Sequence, residues 1–223
     1  FDREPGVGRP HWQRFDVTDE MVAKQPPVAH DVMAFGGRSP QEEDARVMRV
    51  LKSGGLLATE ERVRVLGEYF KGDGSSGDIG SGSSNFVFLR QHRGPTSVNQ
   101  IFIDPDVLRH VSTYSADHDT FGGLEYRKDS AWDWDQLTAP TSGGNEAMVK
   151  YDVPSLSDFL FVAFRFAKNR DAMIKWYHDR GVTEINGIPV EEFLVLDSQR
   201  EKAYAAAKKR LKERYVNGQS VGS

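Results

Sequence analysis

An α+β domain is the fold class the sequence predicts, and three observations carry that expectation. Short apolar or aromatic runs of strand length alternate irregularly with helix signatures, without the strand–helix–strand rhythm of a doubly wound sheet. Two helix starts carry capping chemistry, Ser39-Pro40-Gln41-Glu42 and Ser198-Gln199-Arg200-Glu201. Glycine follows where helical apolar periodicity stops, at Gly54 and Gly181. The chain has 223 residues, 38% of them hydrophobic and 13 of them Phe, which suits one domain with an aromatic-rich core and a tail at each end.

In chain order, residues 1–26 read as an irregular arm, punctuated by Pro5, Gly6, Gly8 and Pro10 and closed by Pro26-Pro27. Val28 to Phe35 reads as a first strand, ended by Gly36-Gly37. A helix follows from Pro40, with Val47, Met48 and Leu51 on its buried face and Gly54 as its left-handed stop. Thr59 caps a second, short helix through Leu66, closed by Gly67. From Lys71 to Ser84 the composition is Gly, Ser and Asp, which means loop. Asn85 to Arg90 and Gln100 to Ile103 read as strands, and Asp104-Pro105 starts a short helical turn carrying Val107 and Leu108.

Ser112 to Gly144 is polar and reads as a long loop, the kind that is functional or mobile. Two strands follow, Glu146 to Tyr151 and Phe159 to Phe166, the second almost wholly apolar and therefore expected inside the sheet. Asn169 is expected to cap a helix bearing Met173, Ile174 and Tyr177. A last helix occupies 198–217, and its Lys208-Lys209-Arg210-Leu211-Lys212 run reads as a solvated face that also suits the helix dipole. Gly218 to Ser223 is expected to be disordered, and 27–197 forms the domain proper.

Composition narrows the chemistry. Formal net charge is −4, so whole-chain attraction to nucleic acid or anionic lipid does not follow. With no Cys there are no disulfides, no thiolate nucleophile and no Cys-based zinc site. No apolar run reaches bilayer-spanning length, there is no signal-peptide layout, and Phe1 in place of Met points to a piece of something longer. Gly72-Asp73-Gly74-Ser75-Ser76-Gly77 has the letters of a dinucleotide fingerprint but lacks its strand-before, helix-after context, so it reads as loop. Gly-Lys-Ser/Thr is absent, so no P-loop is expected. His110, Asp117, His118 and Asp119 read as an acidic surface loop near a His rather than a metal site.

Glu146 stands out because a flexible Ser142-Gly143-Gly144-Asn145 segment delivers this carboxylate to the head of a strand. With it go His30 on the first strand and the Gly/Ser-rich approach, Ser81 to Arg90, to an aromatic strand. The order of these pieces resembles the ADP-ribosyltransferase superfamily. The match runs through His30, then Ser53-Gly54-Gly55-Leu56-Leu57, Phe86 to Arg90, Asp104-Pro105 and Asn145-Glu146. Asp152-Val153-Pro154 before the strand at Phe159 resembles the DNA-targeting DarT-like branch in particular, and coverage runs from Pro27 to Leu196.

The resemblance implies a split β-sandwich with flanking helices, holding NAD as co-substrate in a central cleft. His30 would hydrogen-bond a ribose hydroxyl, Ser83 and Ser84 would line the nicotinamide side, and Phe86 or Phe88 would pack near the ring. Tyr114 or Phe121 would stack on nicotinamide, Arg90 would enter the cleft, and Glu146 would stabilise the oxocarbenium-like transition state. A fixed carboxylate in a dry cleft lowers the barrier to breaking the glycosidic C–N bond because that step develops positive charge on the sugar. The expected activity is transfer of ADP-ribose from NAD to a protein side chain or nucleobase, by a toxin or effector acting in a cytoplasm. Gly144 stands where the arginine-modifying branch carries Glu or Gln, which argues against an arginine acceptor. NAD glycohydrolysis and a catalytically inactive binding module are the alternatives. An RNA 2′-phosphotransferase relative is more distant, since that chemistry wants several Arg and His in the cleft.

Overall fold

The computed structural model describes residues 19–24, 27–32, 40–56, 84–88, 99–115, 146–150 and 155–218. Within them the chain is α+β. The strands are β1 (Val28–Val32), β2 (Ser84–Phe88), β3 (Asn99–Ile103), β4 (Val111–Ser115), β5 (Glu146–Lys150), β6 (Phe159–Phe164), β7 (Glu184–Ile185), β8 (Ile188–Pro189) and β9 (Leu194–Leu196). The helices are α1 (Asp19–Lys24), α2 (Pro40–Ser53), α3 (Ala167–His178), α4 (Val190–Phe193) and α5 (Arg200–Gly218). Seven strands form one sheet in the order β4-β5-β2-β1-β3-β6-β9, while β7 and β8 pair with each other as a hairpin.

Every pairing in the large sheet is antiparallel except β6 with β9. That parallel pair needs a crossover, which α3, the β7–β8 hairpin and α4 provide. The pairings differ in extent. β1 meets β3 over five registered pairs and β2 meets β5 over five, whereas among the described residues β1 meets β2 at Ala29↔Phe88. Within the described residues the sheet is two blocks, β4-β5-β2 and β1-β3-β6-β9, joined at the β1–β2 seam.

Helices cover both faces of the second block. Val28, Ile101, Ile103, Val162, Phe164 and Leu194 pack with Val47 and Leu51 of α2, Met173 and Tyr177 of α3, and Val190 and Phe193 of α4. On the other face Ala29, Phe102, Phe161, Ala163 and Val195 pack with Ala207 of α5, and Ala203 and Tyr204 lie against them. Phe102 and Phe161, opposed in register, stack at 4.4 Å with rings 10° apart, and Tyr204 meets Phe102 edge-on at 5.7 Å. Such ring pairs add roughly 1 kcal/mol each beyond the area they bury. All five residues of β3 are buried, which is why its sequence shows no alternation of apolar and polar residues.

Several expectations hold. Gly54 and Gly181 end helices at φ of 84° and 72°. Val47, Leu51, Met173 and Tyr177 are buried, and β6 lies inside the sheet between β3 and β9. The Lys208 to Lys212 run is exposed apart from Leu211, which faces the core.

Others are corrected. The arm contains α1, whose Val22 is fully buried. The loop expected from Ser112 onward instead begins with strand β4, where β-branched Val111 and Thr113 and aromatic Tyr114 suit pairing with β5. Asn169 does not cap α3; the helix starts at Ala167 with Phe166 as N-cap. There the turn is fixed from outside, by Asn99 Oδ1 accepting the Arg165 backbone N–H at 2.8 Å. Residues 184–196, given no element from sequence, form the hairpin, α4 and β9. Gly218 ends α5, and 219–223 lie outside the described residues, as do the helix expected at 59–66 and most of the loop expected at 71–84.

Candidate functional site

Four chain-distant strands, β4, β5, β2 and β1, carry the described residues singled out above, and the sheet sets them side by side. Glu146 is the first residue of β5. Its register partner on one flank is Phe88 of β2, and on the other Ser115 of β4. Phe88 in turn opposes Ala29 of β1. One row thus runs Ser115–Glu146–Phe88–Ala29 and continues through Phe102 to Phe161. Neighbouring strands are about 4.8 Å apart, so Glu146 and the middle of β1 lie roughly 10 Å from each other across the sheet.

Alternation then decides which positions share a face. Phe86 opposes Met148 and Ser84 opposes Lys150, so Ser84, Phe86, Phe88 and Glu146 are of one parity. That parity is shared with Ala29 and Phe102, the layer that α5 covers. Tyr114 opposes Ala147 and falls on the other parity. His30 also falls there, opposite Ile101, which belongs to the layer packed against α2 and α3. The structure therefore brings Ser84, Phe86, Phe88 and Glu146 onto one face of one block, and sets His30 and Tyr114 a register step away on the alternate face. Ser83, Arg90 and Phe121 lie outside the described residues.

The end of the sheet next to the Glu146 row holds an ionic cluster. Asp104, 7% exposed at the end of β3, receives the Asp106 backbone N–H at 2.9 Å and Arg214 of α5 at 2.6 Å. Arg109 donates to Asp106 at 2.7 Å and reaches Asp19 of α1 at 2.6 Å. These bonds raise both guanidinium pKa values, Arg214 mainly through Asp104 and Arg109 mainly through Asp106. Tyr215, beside this cluster, is pushed up to about 12, first by burial and then by the Asp104 charge. The cluster pins α1, the turn before β4 and the end of α5 to one edge of the sheet.

Sequence reading missed a second polar group. Asn99 and Gln100 of β3 are fully buried, and Arg200 at the head of α5 is 2% exposed. Arg200 Nη1 donates to Gln100 Oε1 at 2.8 Å. The available signal was Asn99-Gln100 heading the otherwise apolar Ile101-Phe102-Ile103. Among the described residues no group of three or more His, Asp or Glu is placed to hold a metal ion, and none of the helices is long and apolar enough to cross a membrane. Comparison with known proteins returns no matching protein family, no matching curated protein and no matching solved structure.

Proposed function

We propose that this chain transfers ADP-ribose from NAD to a macromolecular acceptor, with Glu146 as the acid that stabilises positive charge on the nicotinamide ribose. The observation that carries the reading is the position of Glu146. It follows a Gly-rich segment, opens β5, and pairs directly with Phe88 of the aromatic strand β2, one strand from β1. A carboxylate held by paired backbone beside aromatic positions suits a cleft from which water is excluded, where its charge has most effect on a developing cation.

The split sandwich belongs to the same reading. Its halves would be β4-β5-β2 and β1-β3-β6-β9, parted at the β1–β2 seam, where Ala29 opposes Phe88. NAD would lie along that seam, with Ser84, Phe86, Phe88 and Glu146 from one half and His30 from the other. Tyr114 would come from β4, on the alternate parity, and Ser83, Arg90 and Phe121 lie outside the described residues. Because pleat alternation sets His30 on the opposite parity, its ribose contact requires the halves to diverge at the seam.

The test is nicotinamide release from labelled NAD, followed by digestion of the products with nuclease or protease. Glu146→Gln is expected to lower turnover by at least about 100-fold while leaving NAD affinity within a few-fold. Turnover at the wild-type rate removes Glu146 from the mechanism. Label found only as free ADP-ribose assigns glycohydrolysis. The register gap between His30 and Glu146 favours a second reading, a binding module of the same fold, which predicts NAD binding without any nicotinamide release.

A further inference from the structure

Two Asn-Gly pairs occur in the chain, Asn186-Gly187 and Asn217-Gly218. Asparagine followed by glycine readily loses its side-chain amide, because no Cβ crowds the backbone nitrogen that attacks it. At the first pair both residues are exposed to solvent. The Gly187 N–H has no hydrogen-bond partner among the described residues. A Cβ built on Gly187 would meet nothing within 4 Å. The attacking nitrogen is therefore open to water and base.

The amide under attack, by contrast, is engaged. Asn186 Nδ2 donates to the carbonyls of Leu156 and Phe159, both at 2.9 Å. Those partners fix its orientation, since the reversed amide would set oxygen against two carbonyl oxygens. The turn they belong to holds other elements as well. Its Leu156 N–H donates to Gly54 O beyond α2 at 2.7 Å, and its Asp158 O accepts the Asp104 N–H beyond β3 at 2.8 Å. One exposed side chain thus fastens the β7–β8 hairpin to a turn on which α2, β3 and β6 converge.

We propose that Asn186 is a deamidation site, and that its conversion to an acid releases the β7–β8 hairpin from the turn leading into β6. The Gly187 nitrogen, its proton taken by base, bonds to Asn186 Cγ. The Cγ–Nδ2 bond breaks, and Nδ2 takes up a proton and leaves as ammonia. Water then opens the cyclic imide, giving aspartate from one carbonyl and isoaspartate from the other. Neither product keeps the Nδ2 donor, and the new carboxylate accepts hydrogen bonds without donating any. The amide must leave both carbonyls before its carbon reaches the Gly187 nitrogen, so the reaction runs from the undocked hairpin and docking slows it. Release is one-way, because the donor that held the hairpin is gone. None of this depends on the activity proposed above.

The test incubates the full chain at mildly alkaline pH, with and without urea. Peptides spanning residues 186 and 217 are followed separately by mass and isoaspartate content. Asn186 is expected to convert in the native chain about ten- to a hundredfold more slowly than in urea, because two hydrogen bonds must break first. Equal rates overturn the guarding by docking. An Asn186 that stays an amide in the native chain throughout overturns the site.

Hydrogen exchange reads the consequence. In Asn186→Asp the amides of 155–159 and 184–188 are expected to exchange at least about tenfold faster than in wild type, with those inside β3 unchanged. Wild-type exchange in the hairpin overturns the release. If Asn186→Asp fails to fold, the deamidated wild-type chain, folded before it was modified and separated by its added negative charge, is measured under the same criterion.

Discussion

At residue 186 a small conflict is settled by local chemistry. Asn186 holds φ at 53° and Gly187 at 75°, the pair of left-handed conformations that a two-residue hairpin turn demands. Asn tolerates that conformation, and here its side chain adds something glycine would not. Its Nδ2 donates to the carbonyls of Leu156 and Phe159, both at 2.9 Å, locking the β7–β8 hairpin onto the turn that leads into β6. Asn186→Gly keeps the turn and loses both bonds, so it is expected to cost about 1–2 kcal/mol. Asn186→Ala adds a left-handed penalty of about 1 kcal/mol. Chemical denaturation of the two variants checks the order; a Gly variant as stable as wild type shows that the two bonds contribute nothing net. The Asn-Gly turn signal was present in the sequence, but the partners of Asn186 lie 27 and 30 residues upstream, beyond the reach of local pattern reading.

Among the elements, α5 shows how one helix serves several ends. Its buried face is small, chiefly Ala203, Tyr204, Ala207 and Leu211, so packing alone grips it weakly. Polar contacts near its ends supplement that grip, Arg200 with Gln100 at the head and Arg214 with Asp104 toward the tail. Asp104→Asn removes the charge but keeps an acceptor for the Asp106 N–H. Its expected cost is on the order of 1 kcal/mol, since the Arg214 side chain is half exposed and screened by solvent. Asp104→Ala also strips the turn of its cap and is expected to cost about 1 kcal/mol more. Thermal unfolding of the pair checks this, and equal losses would assign the whole effect to Arg214. The helix itself was legible from its capping pattern and charged surface. That its Lys208 to Lys212 run faces solvent follows from the 3.6-residue period, which leaves only Leu211 of that run on the core side.

For the molecule as a whole, the aromatic core sets an alkaline limit on stability. Burial raises Tyr204, and it pushes Tyr177 up to about 12; Tyr215, in its partly buried site beside Asp104, also reaches about 12. An unfolded tyrosine titrates near 10. The native state therefore favours the protonated phenols, a contribution fully present below pH 10 and lost as pH rises toward 12. The urea midpoint is expected to fall steeply between about pH 10 and pH 11.5, and Tyr177→Phe to flatten that fall. A midpoint independent of pH over this range would show that the phenols titrate normally.

The sequence by itself determined the fold class, the helix stops at Gly54 and Gly181, and the apolar strand β6, because each is written in residues close together in the chain. It marked Glu146 by the flexible segment before it. Only the tertiary structure decided that β4 is a strand, since its polar sequence gains a partner only when β5 lies alongside. Pairing across the sheet likewise set Glu146 opposite Phe88 and put His30 on the alternate parity. It buried Arg200 against Gln100, a residue 100 positions earlier. Register and burial are properties of two segments meeting, and neither segment encodes them alone.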